Sequence, residues 1–207
     1  MSVYIISELC GQWGGSVRRA EQMILQSKLA GADAVKVQLY DTYRMPGENR
    51  EIWEHLSMTK EQFLRLKSFA DNLHIDFFAS AFHRDRFQWI LDAGIDINKI
   101  ASMSLGHDFE LCQEMVNTKI KTYCSLGGWD KEEYPFDSDN VEYYSDHVIG
   151  IEACKEAVLR GAKVIEKHFT TDKKLQSKTE GAHTCSMVMN ELRQLRDFCD
   201  RSEASND

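Results

Sequence analysis

Proline is nearly missing from the 207 residues; Pro46 and Pro135 are the only two. There is no low-complexity stretch either, so no Pro-rich or Gly/Ser-rich linker divides the chain. A single domain spanning residues 1–207 is therefore expected, long enough to bury a sizeable core. No segment reaches the roughly 18 consecutive apolar residues of a membrane span. The opening "MSVYIISELC" lacks the basic region and small-residue cleavage site of a secretory signal. It reads as a first strand, and a cytoplasmic location is expected. Cys10, Cys112, Cys124, Cys154, Cys185 and Cys199 form no Cys-x-x-Cys pair. Scattered cysteines in a chain of this size favour free thiols in a reducing compartment over a disulfide framework. Basic residues are outnumbered 25 to 33, for a formal net charge of −8. That argues against nucleic acid as a partner, which needs a clustered basic face. It leaves an anionic small ligand open, because a few lysines in a cleft reverse the sign locally.

Strand-like runs alternate with helix-like runs over most of the length. The strand candidates are 3–9, 33–40, 75–82, 97–102, 121–127, 141–147 and 163–169. Between them lie amphipathic stretches such as "SVRRAEQMILQSKLAGA", stopped by Gly31, and "TKEQFLRLKSFADNLH", opened by Thr59 and Gln62 at capping-box spacing. Such alternation calls for a parallel α/β fold. Seven strands and about seven helices favour a closed (β/α) barrel of the TIM type. An open doubly wound sheet is the alternative, weakened because no G-x-G-x-x-G follows the first strand.

Polar residues gather near the strand ends: Glu8, Lys36 and Gln38, Ser80, Lys99 and Ser102, Ser125, Ser145 with Asp146 and His147, and Glu166 with His168. In a (β/α) barrel the active site is assembled at that end. The stretch "VIEKHF" (164–169) carries three ionisable side chains where a buried strand wants apolar ones. Period-two alternation puts Val164, Glu166 and His168 on one face and Ile165, Lys167 and Phe169 on the other. One face thus offers a carboxylate and an imidazole to the barrel mouth. Ala34, Lys36 and Gln38 share a face in the second strand. Two histidines at the ends of neighbouring strands, His147 and His168, suit a divalent cation, with Glu8 as a candidate oxygen ligand. Mn²⁺, Mg²⁺ or Zn²⁺ would act there as a Lewis acid. Lys36 and Lys99 are costly near a barrel interior unless paired. Two readings stay open: they await an anionic substrate, or they pair internally with Glu8, Glu166 and Asp146.

The stretches "IISELCGQWGG", "AGADAVKVQ", "NKIAS", "SLGG", "YSDHVIGIEA" and "GAKVIEKHFTTD" resemble the sialic acid synthase family, which makes N-acetylneuraminic, pseudaminic and legionaminic acids. The resemblance covers nearly the whole chain and is most specific around "YSDH" and "EKHF". It implies a barrel that condenses phosphoenolpyruvate with the aldehyde of an amino sugar, aided by a divalent metal, usually manganese. It implies metal ligation by His147 and His168. Contacts to phosphoenolpyruvate are implied for Lys36, Lys99, Ser102, Ser125 and Ser145, with Glu8 as the acidic residue ending the first strand. With the strand-end map, this makes Glu8 and Glu166 the candidate catalytic carboxylates and adds Gln38 and Ser80 to the substrate set.

The chain also departs from that family's pattern. Cys10, Gln12 and Trp13 stand where the family has Gly, Asn and His. Ser104 replaces a carboxylate, Ala182 an aspartate, and "ASAF" a Ser-Thr-Pro-Phe. Only the residues 129–144 separate "SLGG" from "YSDH", too few for the helix–strand–helix expected there. One barrel unit is expected to be missing, as is the family's C-terminal antifreeze-like domain. The expected function is a metal-dependent synthase joining phosphoenolpyruvate to an amino sugar or smaller aldehyde. The alternatives are a lyase or isomerase on the same barrel, or a non-catalytic ligand-binding subunit. An incompletely closed edge makes a homodimer plausible.

Overall fold

The computed structural model describes residues 2–44, 54–125, 143–176 and 184–204. Seven strands lie in one sheet: β1 (Tyr4–Glu8), β2 (Ala34–Leu39), β3 (Asp76–Ala81), β4 (Ile97–Ile100), β5 (Lys121–Cys124), β6 (Tyr143–Asp146) and β7 (Val164–His168). Their order is β5-β4-β3-β2-β1-β7-β6, and every pairing is parallel. Parallel neighbours require crossovers, and helices supply them. The described helices are α1 (Val17–Leu29), α2 (Lys60–Asn72), α3 (Arg84–Asp92), α4 (Ser102–His107), α5 (Phe109–Asn117), α6 (Glu152–Leu159) and α7 (Met189–Ala204).

The end strands β5 and β6 turn toward each other. The rings of Tyr123 and Tyr143 stack across the gap, 5.2 Å apart and 15° from parallel. The result is a TIM-type barrel, nearly closed, with seven strands among the described residues. The open doubly wound sheet is set aside. The seam lies between β5 and β6, where the short connection puts it; residues 126–142 of that connection fall outside the described residues.

Helix starts follow local chemistry. Thr59 and Gln62 form a complete capping box on α2, and the Ser16 hydroxyl accepts from Arg19 N at the start of α1. Helix α2 buries Phe63, Leu66 and Ala70. Phe63 packs on Phe77 of β3 with ring centroids 5.6 Å apart. Burying such a ring contributes about 1.5–3 kcal/mol, and truncating it to alanine costs about 3–5 kcal/mol. One strand ends earlier than expected. β4 stops at Ile100, and Ser102 opens the short α4 instead, which runs into α5, capped by Asp108 through Leu111 N at 2.9 Å. All six cysteines are buried and outside any disulfide. No described helix is long and apolar enough to cross a membrane.

Candidate active site at the barrel mouth

Residues paired across a parallel sheet point to the same side, so register reveals who shares the interior. His168 is paired with Glu8, Glu8 with Lys36, Ser80 with Lys99, and Ser145 with Glu166. Six strands thus deliver polar side chains inward. Beneath them an aromatic floor is built by Phe78, Tyr123 and Tyr143. The Lys121 ammonium lies 5.0 Å from the Tyr123 ring.

The polar layer is a connected network. The Lys36 ammonium, 1% exposed, contacts the Glu8 carboxylate, donates to Ser80 Oγ at 3.0 Å and lies 3.5 Å from Glu166. Lys99 reaches the other oxygen of Glu166 at 3.5 Å. The Ser145 hydroxyl donates to Glu166 at 3.2 Å. Glu8 also accepts from Cys10 N at 2.7 Å. The lysines are therefore not waiting unpaired: the internal network exists, built on Glu8 and Glu166. Asp146 is not part of it. It pairs with Lys167 at 2.6 Å on the outer face, because Asp146 follows the inward Ser145 by one residue.

Burial disfavours charge on Glu166, yet Lys36 and Lys99 bring its pKa down to about 2. For Lys36 the balance tips the other way. Desolvation outweighs Glu166, Lys99 adds repulsion, and the pKa falls to about 7. Desolvation and then Lys99 lower the His147 imidazole below its ordinary value.

The rings of His147 and His168 stand 5.1 Å apart at 64°. Two imidazoles on one cation, each with a nitrogen–metal bond of about 2.1 Å, place their ring centres about 5 Å apart, so the pair fits a shared ion. Among the described residues no three His, Cys, Asp or Glu side chains converge on one point. The Glu8 carboxylate, the candidate oxygen ligand, is engaged by Lys36 and Cys10 N.

The other expected residues are placed as follows. Gln38 follows Lys36 on the same face, paired with Ser80. Ser102 opens α4 and stands off the ladder. Ser125 follows β5, its N–H donating to Ile100 O. Ala182 lies outside the described residues. Two site residues escaped the sequence reading. Tyr143 faces Glu166 with its pKa raised by burial and then by that carboxylate; alternation with Ser145 would have found it. Cys10 lies 3.2 Å by its Sγ from His168 Nδ1, at a strained φ of 32°. Its signal was the cysteine standing where the family has glycine.

A model of the NeuB family matches residues 23–141 and 132–206. The chain belongs to the NeuB family. The two matched stretches overlap at residues 132–141. N-acetylneuraminate-9-phosphate synthase of Drosophila melanogaster is 27% identical over 250 positions, covering 94% of this chain and 66% of that protein. The N,N'-diacetyllegionaminic acid synthase of Legionella pneumophila is 24% identical, covering 94% and 70%. These alignments are longer than the chain itself, so the relatives carry residues that it lacks. The chain spans about two thirds of the curated relatives it matches. The crystal structure of N-acetylneuraminic acid synthetase from Leptospira borgpetersenii, in complex with citrate, superposes with a TM-score of 0.87 at 26% identity, covering 100% of this chain and 85% of that one. A truncated 3-deoxy-D-arabino-heptulosonate 7-phosphate synthase from Thermotoga maritima shares the fold alone, at 10% identity and a TM-score of 0.70.

Proposed function

We propose that the chain is an enzyme of the sialic acid synthase type that condenses phosphoenolpyruvate with the aldehyde of a sugar-like acceptor. The observation that carries this reading is the buried polar layer. Lys36 and Lys99 sit with Glu8 and Glu166 at the mouth of a barrel whose family makes such acids. Two ammonium groups face two carboxylates, so the layer is close to electrically balanced by itself. A phosphate and carboxylate arriving together would overturn that balance. A cation held by His147 and His168 would restore it, which is why a divalent ion, Mn²⁺ foremost and Mg²⁺ or Zn²⁺ as alternatives, belongs to the reading. When bound, it would polarise the acceptor's carbonyl oxygen.

The chain's own residues then have separable tasks. Lys36 and Lys99 hold the anionic groups of phosphoenolpyruvate through charge-assisted hydrogen bonds. Ser80, Ser145 and Ser125 supply neutral polar groups around it, with Gln38, paired with Ser80, and Ser102, at the start of α4, as further candidates. Glu166, kept ionised by its lysines, orients them. Glu8 is the carboxylate positioned to move a proton during attack of the enol carbon and of water. Ala182 and Ser104 remove carboxylates the family directs at the sugar, so a full N-acetylmannosamine is a poor acceptor for this chain alone. The test is phosphate release from phosphoenolpyruvate with Mn²⁺ and a panel of aldehydes. Release that depends on acceptor and metal is expected, weak with N-acetylmannosamine. No release with any aldehyde would sink the synthase reading.

A further inference from the structure

Glu166 and His168 face the mouth, but Lys167 points outward beneath the helical layer, where its neighbours on that face, Ile165 and Phe169, are fully buried and apolar. A lysine there carries a large desolvation cost. It is fully buried, and its ammonium donates to two acceptors, Asp146 Oδ2 and the Val148 carbonyl, both at 2.6 Å. Asp146 in turn accepts from Val148 N at 2.8 Å and from the Cys154 thiol at 3.1 Å.

Those contacts bracket one residue. Asp146 precedes His147 and Val148 follows it, and Lys167 holds both. Apolar packing does not do this, because Val148 and Ile149 are 55% and 76% exposed. The sheet does little: β6 is an end strand, paired only with β7 among the described strands, and His147 lies one residue beyond it. His168, by contrast, ends a strand flanked on both sides by β1 and β6. One imidazole of the pair is fixed by the ladder, and the other needs a separate anchor.

We propose that Lys167 is a positioning residue for His147: reaching out from β7, it clamps both neighbours of His147 and so holds that imidazole against His168. This rests on the reading that the two histidines hold one cation. The clamp also explains why the lysine lies on the strand bearing His168. Both imidazoles are then referenced to the same strand, and their spacing survives small movements at the seam.

The test uses Lys167→Met and the double variant Lys167→Met/Asp146→Met. Losing one partner strands a buried charge, whereas replacing both with apolar side chains is often neutral or stabilising. A merely structural pair therefore leaves the double variant normal. Under the proposal, the double variant keeps wild-type resistance to urea yet binds Mn²⁺ roughly 10- to 100-fold more weakly. The imidazole resonances of His147, assigned with His147→Gln, shift and broaden in it while those of His168 stay in place. A folded double variant with wild-type Mn²⁺ affinity and an unmoved His147 would overturn the proposal. Failure of both variants to fold would do the same, since the pair would then serve the fold. Should the wild type itself bind no Mn²⁺, the metal reading falls, and the His147 resonances alone decide the clamp.

Discussion

Lys36 gives the anion site a measurable signature. Its ammonium is 1% exposed, and desolvation, opposed by Glu166 and aided by Lys99, sets its pKa near 7. Below pH 7 the empty site holds a charged Lys36; above it the amine is increasingly neutral. A bound phosphate favours the charged form, so binding above pH 7 must take up a proton. Affinity for phosphoenolpyruvate is then expected to be flat just below pH 7 and to fall about tenfold per unit above it. By pH 8.5 the loss is roughly 30-fold, about 2 kcal/mol. Calorimetry in buffers of different ionisation enthalpy reads the proton uptake directly. Lys36→Met should bind roughly 10- to 100-fold more weakly at pH 6.5, the worth of one charge-assisted contact, with no slope and no uptake. Stability has its own sign. The folded pKa of Lys36 lies below its unfolded value of about 10.4, so between the two the unfolded chain binds the extra proton. This group therefore makes the protein more stable as pH rises from about 7, and Lys36→Met should lose that rise in urea melts. A wild-type affinity unchanged from pH 7 to 8.5 without proton uptake, or the same slope in Lys36→Met, would refute the reasoning.

His147→Ala and His168→Ala should each strip most bound Mn²⁺ while the protein stays folded. Exposed His147 costs less stability than buried His168. If both variants keep one Mn²⁺ per chain by electron paramagnetic resonance, the metal reading is wrong. Cys10→Gly removes the thiol beside His168 Nδ1 and relieves a backbone at φ 32°. These effects oppose each other, so urea stability should stay within about 1 kcal/mol of wild type. Mn²⁺ affinity should fall roughly tenfold as the ring loses its partner. Unchanged affinity would remove Cys10 from the site.

Strands were legible because parallel α/β barrels write them as short apolar runs between amphipathic helices. The seven expected runs all contain a strand. The place of the seam was legible too: among the described residues the sheet ends at β5 and β6, on either side of the short 129–144 connection. Helix α4 was not, because its six residues have no side-chain N-cap and lie between an apparent strand end and the Asp108 cap of α5. In the site, alternation sorted Glu166 and His168 from Lys167 correctly. It was not applied to "YYSDH", where Ser145 and Asp146 cannot face the same way, and Asp146 was therefore grouped with the wrong lysines. Whether Lys36 and Lys99 pair with glutamates or await an anion depends on side-chain distances that no spacing encodes.

Glu166 shows why structure and function resist separation at this mouth. Its carboxylate contacts Lys36 from β2, Lys99 from β4 and Ser145 from β6 while standing on β7. Those bonds cross the interior of a barrel whose wall, among the described residues, has no ladder between β5 and β6. There the Tyr123–Tyr143 stack spans the seam. The interior ion pairs therefore do part of the closing that backbone hydrogen bonds do elsewhere in the wall. Loss of Glu166 would leave two ammonium groups facing one remaining carboxylate and would untie three strands at once. Its effect on turnover could not be read apart from its effect on the barrel. Outside that layer the two roles come apart: His147 and Lys167 lie beyond the crossing network, so changes there report on the site while the wall stays closed.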